Sequence, residues 1–199
     1  MLGMPYTGAR ATQQGFSLLE VLVTLVLLTV GMLGVVGLVL HARQANEQAL
    51  ANTRATLLVE DLLERMRANT TAAALEVYGA STSVVPTQIN KPERDCRATE
   101  CSPAEMARFD LYDWAQQISM RSEPGPPRDG LLDAQGCIDI SPVNPAPGSI
   151  ASATVILAWR GSGASRATGP NGQPISCGSD DIPAARQFVM LSTRYLVDS

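Results

Sequence analysis

From Val21 to Leu40 the chain carries no charged residue, and directly before that run stands Glu20. At helical rise the run covers about 30 Å, enough to cross a hydrocarbon core. The remainder of the sequence is polar, so the chain reads as one membrane segment with something attached. Glu20 is the difficulty. A carboxylate within a span costs about 2.5 kcal/mol or more at a helix centre.

Three membrane readings compete. A secretory signal peptide has a shorter apolar core that ends at a small-residue cleavage site; here the run is longer and the only candidate site, near Ala42, is poor. A plain single-span anchor explains the length and leaves Glu20 without a purpose. The third reading uses "GFSLLEV" as a unit. If the chain is cut after Gly15, Phe16 becomes a new N-terminus with a positive amine, and Glu20 lies about one helical turn away. The carboxylate then offsets an amine, its own or a neighbouring subunit's, where low dielectric makes such pairing strong. On that reading Glu20 is an assembly device.

Composition narrows the rest. A net charge of −4, a pI near 5.0 and 5% aromatics give neither a basic footprint nor a stacking platform for nucleic acid. The four cysteines, Cys96, Cys101, Cys137 and Cys177, all lie downstream of the span. An even set on an exported side reads as two disulfides in an oxidising compartment. A metal site or four buried thiols are the alternatives. Zinc sites favour short paired spacings, whereas Cys137 and Cys177 are far apart and no histidine is near. Of the three connectivities, Cys96–Cys101 and Cys137–Cys177 are favoured, the second as a staple for a long Gly/Pro-rich loop.

Along the chain the texture changes twice. Residues 1–15 are short, polar and glycine-bearing, as in a leader. Twelve of the thirteen prolines lie after residue 85. That permits one helix over 16–74, transmembrane over 21–40 and amphipathic over 41–74, with Leu50, Leu57, Leu58, Leu62 and Met66 near one face. Gly31, Gly34 and Gly37 within it suit close helix packing or a weak point. Residues 75–199 read as an α+β head. Ser102, Pro103 and Glu105 form a capping-box start to a helix with Leu111, Trp114 and Ile118 on one face; Asp110 and Asp113 fall on its exposed side. Residues 152–160 and 187–197 read as antiparallel strands, with 137–140 as a third.

No catalytic set emerges. His41 is the only histidine and sits at the membrane edge, so no Ser/His/Asp or Cys/His arrangement can be built in the head. Asp180 and Asp181 are too few carboxylates for a calcium site. The chain is expected to be no enzyme and to need neither cofactor nor metal.

The stretch "GFSLLEVLVTLVLL" resembles the class III signal of type IV pilins and type II secretion pseudopilins: a polar leader ending in Gly, then Phe, then Glu as the fifth mature residue. The resemblance implies the type IV pilin fold, a long N-terminal helix packed on a small antiparallel sheet. It implies cleavage between Gly15 and Phe16 by a prepilin peptidase, methylation of the Phe16 amine, and docking guided by Glu20. Gln14 departs from the Lys or Arg that many leaders place before the glycine, and the span lacks the proline common in major pilins. "LLVEDLLERMRANTTAA" and the segment from Cys96 through "DLYDWAQQI" are similar to PilV-type minor pilins. That similarity implies a low-abundance subunit priming pilus assembly or sitting at the tip. Its partners would be other minor pilins, the major pilin, an inner-membrane assembly platform and a tip adhesin. The implied location is the inner membrane with a periplasmic head, then the extracellular pilus. A minor pseudopilin of type II secretion and a membrane-anchored periplasmic receptor are the competing functions. Arg10 and Arg43 give little charge bias by which to orient the span.

Overall fold

A computed structural model of the chain describes residues 17–119, 131–161, 177 and 186–198. In chain order the elements are α1 (Leu18–Arg67), α2 (Ala72–Ala80), α3 (Pro103–Ser119), β1 (Gln135–Ser141), β2 (Ile150–Arg160) and β3 (Arg186–Leu196). The leader, Gly15, Phe16 and the Asp180–Asp181 pair lie outside the described residues. The chain divides after Asn46 into two units.

In the first unit Ser17 stands just before α1, and its hydroxyl accepts from the Leu19 N–H (3.2 Å). The apolar side chains from Leu18 to Leu40 are exposed all round the helix, which in water would be untenable and in lipid is required. Thr24 and Thr29 return their hydroxyls to the Val21 and Val26 carbonyls at 2.9 and 2.8 Å. No polar group of theirs is thereby left for the bilayer to solvate. The helix runs unbroken through Gly31, Gly34 and Gly37, and a Cβ at any of the three would meet nothing within 4 Å.

The second unit, from Glu47 on, is built on the C-terminal part of α1. Its buried seam is Ala55, Leu58, Val59, Leu62, Leu63 and Met66, the i, i+3, i+4, i+7 stripe of one helical face. Leu50 and Leu57 do not join it; they are exposed. Both lie about 150–170° round the helix from the middle of that stripe, on its opposite side.

α1 also ends earlier than residue 74. Three polar side chains draw the backbone away after Arg67. Asn69 Nδ2 donates to the Pro103 carbonyl (2.8 Å), and Thr70 Oγ1 to Asp198 (2.5 Å). Thr71 turns extended and accepts from Ala74 N–H, capping α2. Such side chains compete with helix hydrogen bonds and favour caps, so the polar "NTT" makes a corner where proline is absent. The compact unit therefore takes in the helix from Glu47, well before residue 75.

The sheet is antiparallel throughout, in the order β1-β2-β3. Residues 151, 153, 155, 157 and 159 of β2 face the core, the period-2 alternation expected of a one-sided sheet. α3 starts as its capping box requires: Ser102 N–H donates to Glu105 (2.8 Å), and Glu105 N–H to Ser102 Oγ (3.4 Å). The Ser102 N–H and hydroxyl, both donating to the Glu105 carboxylate at 2.8 Å, hold it below its ordinary range. Trp114, fully buried, lies so close to Gly136 that a Cβ there would stand 2.3 Å from the indole ring. No side chain fits at 136, and the rigid ring cannot yield.

Candidate functional site

Two places in the chain carry unusual chemistry: the start of α1 and the junction of α1 with the head. At the first, Glu20 sits in the opening turn of α1, where the partial positive charge of the helix N-terminus favours a carboxylate. It is exposed, among exposed apolar neighbours. Phe16, proposed as its partner, lies just before the described residues.

At the second, the structure corrects the sequence reading. Asp110 and Asp113 are not the solvated side of α3. Asp110 is buried, and both carboxylates meet Arg65 of α1. Arg65 spans three acids: Nε to Asp61 (2.8 Å), one terminal nitrogen to Asp110 (3.3 Å) and the other to Asp113 (2.8 Å). Tyr78 of α2 donates its hydroxyl to Asp110 (2.7 Å). Gln117 Nε2 donates to Asp113 (2.9 Å), and Arg97 also pairs with it. Arg97 lies over the Phe109 ring, 5.2 Å from its centre, a cation–π contact. The network joins three helices and the Cys96–Cys101 segment at one point.

Its electrostatics follow from burial. Desolvation pushes the Asp110 carboxyl above its usual value, with Tyr78 and Arg65 pulling the other way. Burial, reinforced by Asp110, raises the Tyr78 phenol. For Arg65, burial alone would lower the pKa, but Asp61 and Asp113 together raise it. The hydroxyl of Tyr78 and the guanidinium of Arg65 therefore stay protonated and serve as donors to the carboxylates. The signal was present in the sequence only as a spacing: Asp61 and Arg65 stand at i, i+4, which fits a solvated helix surface equally well.

Two aromatic donors complete the grip on α1. Trp114 Nε1 donates to the Leu58 carbonyl (2.7 Å), and Tyr195 Oη to the Leu63 carbonyl (2.9 Å), both buried. Burial pushes the Tyr195 phenol up to about 12. α3 and β3 thus each fix one turn of the helix by a directional bond as well as by packing.

The cysteine sulfurs fall into two pairs at bonding distance, Cys96 with Cys101 (Cα–Cα 5.6 Å) and Cys137 with Cys177 (5.8 Å). Cys137 faces away from the core, so its partner is held on the outer face of the sheet, over β1 and β2. Deleting each bridge should have unequal effects. Cys137→Ser frees a loop of sequence separation 40, Cys96→Ser one of only 5, and the longer closure is worth more by chain entropy. Limited proteolysis of the two variants is expected to cut Cys137→Ser much faster. Equal rates would count against that pairing's role. Among the described residues no group of His, Cys, Asp and Glu is placed to hold a metal.

Taken together, the chain is a protein with an exposed apolar N-terminal helix and a small three-stranded antiparallel head, the architecture of the type IV pilin fold. Comparison with known families agrees. The family described as Tt1218-like, Type IV pilin Tt1218, matches residues 37–112, and the prokaryotic N-terminal methylation motif matches residues 10–36. The two matches adjoin, cover residues 10–112 together and support a type IV pilin-like family. No curated protein and no solved structure matches it.

Proposed function

We propose that the chain is a minor pilin of PilV type that takes part in assembling a type IV pilus, in a priming complex or at the tip. It is made with a leader, residues 1–15, which a prepilin peptidase removes after Gly15 before methylating the Phe16 amine. The apolar span over 21–40 holds it in the inner membrane with the head in the periplasm, and on assembly passes into the filament. Glu20 meets the amine of Phe16, its own or a neighbour's. The observation that carries this reading is the methylation motif over residues 10–36, running into a helix whose apolar side chains are exposed among the described residues. The bonds from Asp110, Asp113, Trp114 and Tyr195 to the C-terminal part of α1 support a structural role, because they fix that stretch of helix within the head. Other minor pilins, the major pilin, the assembly platform and a tip adhesin are the partners this role requires.

Deleting the protein tests pilus against secretion. The expected result is loss or shortage of surface pili with exoprotein secretion intact. Normal piliation with failed secretion would instead make it a minor pseudopilin.

A further inference from the structure

Among the described residues β3 forms one edge of the sheet, and its outward side is unpaired over most of its length. Two bonds at its end fix the alternation. The Val197 N–H donates to the Ser149 carbonyl (2.9 Å) on the β2 side, and the Asp198 N–H turns the opposite way, to the Thr70 carbonyl (3.1 Å). Followed back along an antiparallel ladder, Leu196, Arg194, Ser192, Met190 and Phe188 point their N–H and C=O groups away from β2. Among the described residues none of these backbone groups has a hydrogen-bond partner.

Proteins normally protect such an edge with lysines, prolines, bulges or shortness. β3 uses none of them: "RQFVMLSTRYL" has no Lys or Pro, and its register against β2 is regular from Arg186 to Leu196. At its C-terminal end Thr71 already bridges to Asp198 in parallel, so the row of free groups begins where a first rung of pairing stops. Phe188 and Met190, on the face away from the core, are half-buried, and Arg194 is exposed.

We propose that the outer edge of β3 receives an extended segment of a partner protein as a fourth strand. That segment is apolar opposite Phe188 and Met190 and acidic opposite Arg194. A row of alternating donors and acceptors is matched rung for rung by another extended backbone. A second copy's β3 is the wrong occupant, because Arg186–Leu196 contains two arginines and no carboxylate to set against Arg194. The inference rests on the sheet alone and holds whichever filament the chain serves.

The test is amide hydrogen exchange on the full chain in detergent micelles. The probe is a short synthetic peptide of alternating valine and threonine with a glutamate at each end. The amides of Phe188, Met190, Ser192 and Arg194 should exchange quickly in the free chain and slow by roughly tenfold or more with peptide. Those of Val189, Leu191 and Thr193, bonded to β2, should be slow in both states. Arg194→Glu should shift the preference to a peptide ending in lysines. Met190→Pro, which removes one outward N–H and no bond to β2, should abolish the protection. Edge amides already slow in the free chain would overturn the proposal, the edge being covered by this chain itself or by a second copy. So would the absence of protection with peptide, or unchanged preference in Arg194→Glu.

Discussion

Asp110→Ala is expected to lower the unfolding free energy by about 3 kcal/mol or more, the cost of removing one partner from a buried charge network. The loss is large because of what stays behind. Tyr78, fully buried, would have a hydroxyl with no acceptor, and Arg65 would lose one of its three carboxylates. Asp110→Asn keeps an oxygen for Tyr78 and should cost far less. The pH dependence separates the two effects. Burial raises the folded-state pKa of Asp110 above its ordinary value of 3.8, so the folded protein binds that proton more tightly than the unfolded chain. Its contribution is complete below 3.8 and is lost as pH rises through the raised value. Denaturant titrations across that window should show a decline in the native protein that is absent from Asp110→Asn. Arg65, Tyr78 and Asp113 face the same carboxylate and are unchanged by that substitution. A loss below about 1 kcal/mol in Asp110→Ala would mean that water reaches the network and that it does little to fix α3 on α1.

Glu20→Ala should leave the protein in the membrane and fail at assembly. A lone anchor gains from losing a carboxylate at the edge of its span, so membrane content should be unchanged or higher. In a stack of helices the same change strands an amine. At about 2 kcal/mol for a hydrogen bond to a charged group, roughly thirtyfold less incorporation into sheared filaments follows. Immunoblots of membrane and filament fractions give the ratio. Normal incorporation of Glu20→Ala would remove the reason offered for the carboxylate.

The features legible in the sequence were those encoded locally. A charge-free run declares a span by length alone, a Ser-Pro-x-Glu tetrad caps its own helix, and β-branched alternation marks β2 and β3. The corner at Asn69–Thr71 was harder to read, because without proline or glycine it depends on distant partners, the Pro103 carbonyl and Asp198. The buried face of α1 was partly misjudged for a related reason: Leu50 and Leu57 are apolar, but the helix turns them away from α3 and the sheet. Asp110 departs furthest from its sequence pattern. A carboxylate on an amphipathic helix is ordinarily solvated, and only the arrival of Arg65 and Tyr78 from elements far off in sequence makes its burial tolerable. The start of α1 is the reverse case: the motif is plain in "GFSLLE", while the partner proposed for Glu20, the amine of Phe16, lies outside the described residues.

The most direct test of the central reading is the intact mass of the membrane-extracted protein, from cells with and without prepilin peptidase, under non-reducing conditions. A type IV pilin-like precursor processed at Gly15 predicts the mass of Phe16–Ser199 plus one methyl group, with both cysteine pairs oxidised, only where the peptidase is present. The full-length mass of Met1–Ser199 in both strains would contradict it and leave a simple membrane anchor.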